Sequence, residues 1–332
     1  MQNEQQVILT QRPVGLPTSN DFQLVSTAPC VVADKQVKVA VRYISLDPAM
    51  RGWMSDLPSY LPPVRLGAVM RAYGVGVVVE SRDENWPVGT LVSGMTGVRS
   101  HWLAEAKKLT RLPDLALPLS TFVGPLGIPG LSAYFGLLDV GHFQAGQTVL
   151  VSGAAGAVGS MVGQIARLKG GRAVGIAGGP EKCRHLVDDL GFDAAIDYKN
   201  DSVRHALKAK LSDGIDVYFD NVGGEILDAA LARLKIGARV VICGAISQYN
   251  ATTRPKGPQN YLALLIRRAR MEGFLVTDYV HRYPEALNVL GRWLADGKLL
   301  SRETVVDGLD QFVPAFNRLF SGEKLGKLAL KP

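Results

Sequence analysis

An α/β fold, built on a doubly wound parallel sheet and joined to a second, mainly antiparallel β domain, is the class this sequence predicts. Two observations carry the prediction. From about residue 147 onward, short runs rich in Val, Ile and Leu alternate with helical stretches, the pattern of strands buried on both faces and linked by right-handed crossovers. Before about residue 124, apolar and polar residues alternate in short pieces broken by Pro, Gly, Asn and Asp, which is how half-buried antiparallel strands read.

The first region holds strands over 37–43 and 74–80, with a turn over 83–89. In the second, the expected order is strand 148–152, helix 160–168, strand 172–177 and helix 181–190, stopped by Gly191. Strand 194–197, helix 202–211, strand 215–220, helix 225–234, strand 238–243 and strand 271–276 follow. That makes a sheet of about six strands. Residues 299–332 read as strand, helix, strand, and are expected to return to the first domain. The division is therefore 1–124 with 299–332 as a catalytic β domain, and 125–298 as a dinucleotide-binding domain.

Bulk properties agree with two domains: the chain has 332 residues, 47% of them hydrophobic and 20% charged. The net charge of +7 is open to three readings, an anionic cofactor, a nucleic-acid surface or plain solubility, and the densest basic run, Arg267-Arg268-Ala269-Arg270, reads as a solvated helix face rather than a nucleic-acid surface. Cys30, Cys183 and Cys243 form no CxxC pair, and the five histidines fall in no metal-binding spacing. A disulfide framework and a zinc site are both argued against. The polar N-terminus lacks a signal-peptide pattern, and no apolar run reaches the roughly 18 residues of a membrane span. A cytoplasmic location is the expectation.

The strongest local signal is the turn Gly153-Ala154-Ala155-Gly156-Ala157-Val158-Gly159, placed after a strand and opening a helix. Gly156 would let the backbone approach a pyrophosphate, and Gly159 would let the helix pack closely on the strand. Amides at the helix start, including those of Ala157 and Val158, would meet the phosphates. At the next strand end, an NAD site would carry an acid for the ribose 2′-hydroxyl. Here the chain runs Ile176-Ala177-Gly178-Gly179-Pro180, with Lys182 close behind. A cation and no acid at the tip suits a 2′-phosphate, so NADP is the expected cofactor.

These motifs, together with Asp220-Asn221-Val222-Gly223-Gly224, Cys243-Gly244-Ala245-Ile246-Ser247-Gln248-Tyr249-Asn250 and Leu46-Asp47-Pro48-Ala49-Met50-Arg51-Gly52, resemble the medium-chain dehydrogenase/reductase superfamily. The similarity spans nearly the whole chain. It points to the zinc-independent branch of prostaglandin reductases, leukotriene 12-hydroxydehydrogenases, alkenal double-bond reductases and curcumin reductases. The resemblance implies a Rossmann sheet and a GroES-like β domain. It implies that Lys182 and Tyr198 hold the 2′-phosphate, and that Asn221 contacts the nicotinamide half. Residues Cys243, Gly244, Ala245, Ile246, Ser247 and Tyr249 would line the cofactor, and Phe274, Leu275 and Val276 would border the nicotinamide. Tyr249 matches a tyrosine that assists protonation, and Tyr73 an aromatic of the substrate pocket. Two positions depart from the family's pattern. Ala49 stands where an aromatic is common, implying a wider pocket, and Lys324 where an asparagine is common, implying a phosphate contact.

The first domain offers only Cys30 and His101 as soft ligands, so no zinc set can be assembled to polarise an alcohol. Hydride delivery to an alkene conjugated with a carbonyl needs no metal: a developing enolate must be stabilised and protonated, and a tyrosine hydroxyl suits that task. The expected substrate is a small α,β-unsaturated aldehyde or ketone. Rival readings are a quinone reductase of the same fold and an NADPH-binding protein without turnover. Tyr60 and Tyr134 are further pocket candidates, and residues 250–258 a candidate lid. Arg51 has no assigned role. The apolar segment Phe274-Leu275-Val276 is expected to close the sheet as a strand that continues across a two-fold axis, giving a homodimer.

Overall fold

The computed structural model describes residues 3–332. The chain forms two compact units: residues up to Gly124 together with Glu303–Pro332, and Pro125–Arg302. The C-terminal return thus begins at Glu303 and not at 299. Leu299 is buried in the second unit. Leu300 is tied to the same unit by both its backbone groups, the N–H donating to Gln164 Oε1 at 2.7 Å and the carbonyl accepting from Gln164 Nε2 at 3.0 Å.

In the first unit a seven-stranded sheet runs Glu303–Asp307, Lys327–Lys331, Gln36–Ser45, Gly74–Ser81, Leu91–Gly94 and Thr110–Arg111, with His101–Glu105 also paired to Gln36–Ser45. Every pair is antiparallel except the first, whose two strands are joined through helix Phe312–Ser321, as a parallel connection requires. A separate hairpin pairs Glu4–Leu9 with Phe22–Thr27. Val37, Val39 and Val41 face the core on alternate positions, where they meet Phe312, Phe316, Leu328 and Leu330.

The segment 46–52 is fastened at both ends. Lys327, 2% exposed, donates from Nζ to the Leu46 carbonyl at 2.9 Å and pairs with Asp47 Oδ1 at 2.7 Å. Buried Arg51 donates to the carbonyls of Pro13 and Gly15, each at 3.0 Å, and to Ser55 Oγ at 2.9 Å. This gives Arg51 a structural account that its sequence position does not supply: it holds the 13–15 turn against helix Met50–Trp53.

The second unit is a six-stranded parallel sheet in the order Ala194–Asp197, Arg172–Ala177, Thr148–Val151, Ile215–Asp220, Leu234–Ile242 and Arg270–Gly273. The winding reverses between the neighbours Thr148–Val151 and Ile215–Asp220, the first and fourth of these strands along the chain, and ligands bind outside the carboxyl ends at such a point. Val149, Leu150 and Val151 are all fully buried, as strands covered on both faces must be.

At three elements the departure from the expected boundary has a visible cause. The first helix begins at Ala157, three residues early, because Gly156 is already extended and its carbonyl accepts the Ser160 N–H. The helix expected over 225–234 stops at Leu231. Leu234 instead opens strand Leu234–Ile242, drawn into register opposite Ile215. The strand expected over 271–276 ends at Gly273, and Phe274, Leu275 and Val276 leave the sheet. The Phe274 ring packs against Gly136 and shares its surroundings with Phe219. Tyr279 stacks on Phe135 at 4.7 Å, and Arg282 pairs with both Asp139 and Glu285. This packing turns the backbone into the helical turns of Val276–Arg282. Helix propensity and apolar character were overridden here by tertiary contacts.

Candidate cofactor site

Four loops meet at the carboxyl edge of the parallel sheet. The first leaves strand Thr148–Val151 through Gly153, whose φ is +57°, and enters helix Ala157–Leu168. Packing makes Gly159 obligatory: a Cβ there would lie 2.5 Å from the Gly153 carbonyl oxygen and 2.8 Å from Ala154 Cα. Ala154 is fully buried, and its N–H donates to the Ile176 carbonyl at 3.0 Å, which locks the loop to the neighbouring strand. Gly156, Ala157 and Val158 remain half-buried at the helix start, where first-turn amides lack intrahelical partners and carry partial positive charge.

The second loop follows strand Arg172–Ala177. Gly178 lies against the ring of Tyr198, 2.9 Å from the position its Cβ would take. Half-buried Lys182 stands on the short helix Pro180–Arg184. Burial, and then the charge of Lys199, hold its ammonium below the ordinary lysine range, with Glu181 opposing.

The third loop is organised by Asp220, a residue to which the sequence reading gave no role. Its Oδ1 accepts from Ser152 Oγ and Tyr218 OH, both at 2.7 Å, and from the amides of Val222 and Gly223, both at 3.0 Å. Ser152 Oγ in turn accepts the Asn221 amide at 2.8 Å, and Asn221 Nδ2 donates to the Ser152 carbonyl at 2.7 Å. A carboxylate this well satisfied needs no cation. The signal available in the sequence was an acid closing an apolar strand just before Asn-Val-Gly-Gly.

The fourth loop, 243–249, hangs from the third. Cys243 and Gly244 donate their amides to the Asp220 carbonyl at 2.9 and 3.1 Å. Ile246 donates to the Asn221 carbonyl and Ser247 to that of Val222, both at 3.2 Å. Ala245 donates its amide to the Tyr249 hydroxyl at 3.1 Å. The Cys243 thiol is pushed up to about 12 by burial and by Asp220, so it is held neutral. Phe274, Leu275 and Val276 are half-buried just past the last strand, and the Val276 carbonyl accepts from Tyr283 OH at 3.1 Å.

The sequence-derived residues therefore fall into two sets. Gly156 to Gly159, Lys182, Tyr198, Asn221, Cys243 to Ser247, Tyr249 and Phe274 to Val276 belong to the second unit, and Tyr73 and Lys324 to the first. Tyr73 is half-buried, and burial pushes its hydroxyl up. Tyr60 is 51% exposed, whereas Tyr134 is buried and directs its hydroxyl toward Glu285. Residues 251–257 are exposed. Beyond that loop, Asn260 is pinned by Asp228, which accepts its amide at 2.7 Å.

The donor set fits a phosphorylated dinucleotide: helix-start amides at the switch point, a lysine just past the second strand end, and an aromatic shelf beside it. Among the described residues no three His, Cys, Asp or Glu side chains gather where a metal could sit, and no helix is long and apolar enough to cross a membrane. Fold and site together define an oxidoreductase of the two-domain, dinucleotide-binding class.

Comparison with known proteins narrows that class. Residues 5–112 match the family described as N-terminal domain of oxidoreductase, and residues 157–292 that described as zinc-binding dehydrogenase. The NADPH-dependent curcumin reductase of Escherichia coli (strain K12) is 40% identical over 99% of this chain and 97% of its own. The NADP(+)-dependent 2-alkenal reductase of Nicotiana tabacum is 40% identical over 98% of this chain and 96% of its own. The crystal structure of CurA from Vibrio vulnificus in complex with NADPH superposes with a TM-score of 0.94, at 42% identity over 98% of both chains. The chain belongs to the medium-chain dehydrogenase/reductase superfamily, in its zinc-independent reductase branch.

Proposed function

We propose that this NADP-dependent oxidoreductase reduces the carbon–carbon double bond of α,β-unsaturated aldehydes and ketones. The observation that carries the reading is the Tyr249 hydroxyl, fixed on the loop that also hangs from Asn221 and Val222, with the Ala245 amide donating to its oxygen. An O–H whose oxygen already accepts a hydrogen bond is polarised into a better donor. The names of the curcumin and 2-alkenal reductases, both 40% identical, support the same substrate class.

In this reading, bound NADPH supplies the hydride, which adds to the alkene carbon β to the carbonyl. The electron pair of the alkene moves toward the carbonyl oxygen. Tyr249 donates a hydrogen bond to that developing enolate and relays the proton that ends on the α-carbon. The amides of Gly156 to Gly159 hold the pyrophosphate, and Lys182 and Tyr198 the 2′-phosphate. Asn221, the loop from Cys243 to Ser247, and Phe274 to Val276 position the nicotinamide half.

The test is NADPH oxidation followed by absorbance with alkenals, alkenones, curcumin-like dienones and quinones, repeated with NADH. Turnover of the conjugated carbonyl compounds with NADPH is expected. Turnover of quinones alone would move the activity to quinone reduction.

We also propose a homodimer at the open edge strand Arg270–Gly273. Paired antiparallel with its own copy about Met271, this strand sets exposed Arg270 against exposed Glu272, opposite charges across the pair. Tyr261, Leu262, Leu265 and Ile266, on the segment leading into it, are exposed and apolar. Light scattering should return twice the chain mass; a monomer at every concentration would rule the pairing out.

A further inference from the structure

The turn after strand Ala194–Asp197 is built around one carboxylate. Asp197 Oδ1 accepts the Gly179 amide at 2.7 Å and the Lys199 amide at 3.0 Å, and Oδ2 accepts from Asn200 Nδ2 at 2.7 Å. These bonds hold the Asp197 carboxyl below the usual carboxylate range, against burial, which acts the other way. Gly179, at φ +97°, is the residue that turns the chain from Gly178 into the helix carrying Lys182. One oxygen thus ties together the backbone that leads to Lys182 and the backbone of Lys199. Between them lies Tyr198, its ring against Gly178 and its own amide donating to the Ala177 carbonyl at 3.1 Å.

A 2′-phosphate carries close to two negative charges at neutral pH, and one lysine matches only half of that. Lys182 already senses the charge of Lys199. Like charges repel, and an anion bound beside both lysines relieves that repulsion.

We propose that Lys199 is a second cation for the 2′-phosphate and that Asp197 is a positioning residue that sets the spacing of the two lysines. The turn Asp197-Tyr198-Lys199 is then a determinant of NADPH over NADH. Asp197 acts through its acceptor geometry, while its negative charge works against the phosphate. Removing the charge and keeping the acceptor therefore strengthens binding, whereas removing both weakens it.

The experiment measures dissociation constants for NADPH and NADH by fluorescence titration of the full chain, for wild type, Lys199→Gln, Asp197→Ala and Asp197→Asn. Lys199→Gln should weaken NADPH about fivefold to tenfold, flatten the salt dependence of NADPH binding and leave NADH unchanged. Asp197→Ala should weaken NADPH by about tenfold with NADH unchanged, because only the phosphate senses the spacing. Asp197→Asn should restore NADPH binding to wild-type strength or better. Equal losses for both cofactors would overturn the proposal, since a general loosening of the site affects both alike. So would unchanged NADPH affinity in Lys199→Gln. Because binding is read without substrate, the result stands apart from the enone reading.

Discussion

The amide of Ala245 donates to the hydroxyl of Tyr249 at 3.1 Å, so the side chain folds back over the loop from which it springs. A Cβ placed on Gly244 would lie 3.0 Å from the same oxygen. The tyrosine hydroxyl is therefore held by backbone, independently of any substrate. Tyr249→Phe keeps the ring and deletes the donor. Turnover of an enone should fall by about a hundredfold, the lower range for loss of a positioned proton donor, with NADPH affinity within about twofold. Stopped-flow and binding measurements on one preparation check both. Unchanged turnover would sink the catalytic role.

Gly156 and Gly159 should part company when replaced. At Gly159 a methyl meets backbone at 2.5 and 2.8 Å, which cannot move aside without opening the strand–helix contact. Gly159→Ala should destabilise the protein by about 1–3 kcal/mol, visible as a lower midpoint in urea. At Gly156 the nearest atom is the Gly153 carbonyl oxygen at 3.2 Å, and φ is −86°. Gly156→Ala should change stability little and weaken NADPH, because the added methyl stands where the pyrophosphate approaches.

A third expectation concerns pH. The Lys182 ammonium lies below the ordinary lysine range, chiefly through burial and then through Lys199. The protonated form binds the phosphate, so NADPH affinity should be constant at neutral pH and fall as pH rises through that lowered value. Bound phosphate favours the charged lysine and draws the value back up, so binding takes up protons in that window. NADH lacks the 2′-phosphate and should show no such fall. Titrations of both cofactors from neutral pH to the ordinary lysine range check this. Parallel curves would remove Lys182 from the phosphate site.

Much of the nucleotide-binding unit is legible in one dimension. Strands buried on both faces are apolar almost throughout, so Val149 to Val151 and Val217 to Phe219 announce themselves, and a turn that cannot hold a Cβ at Gly159 must show glycine. Boundaries set by distant partners are less legible. Nothing local to 232–237 says that Leu234 will pair opposite Ile215, and nothing in Phe274-Leu275-Val276 says that Phe274 will leave the sheet for the surface of Gly136. The acids were hardest. Asp197 and Asp220 look like ordinary strand ends, and their importance lies in donors remote in the chain: the Gly179 amide, 18 residues from Asp197, and the Ser152 hydroxyl, 68 residues from Asp220.

By itself, then, the sequence determined the layers, the glycine turn, the absence of an acid at the second strand end, and the lysine behind it. Each of these follows from local sterics or from the charge of a single side chain. Only the tertiary structure decided which donors a carboxylate would gather, where Tyr249 would rest its hydroxyl, and how one Asp197 oxygen would tie the backbone leading to Lys182 to that of Lys199. Hydrogen bonds of that kind join residues remote in the chain, and their geometry exists only once the sheet has set its strands side by side.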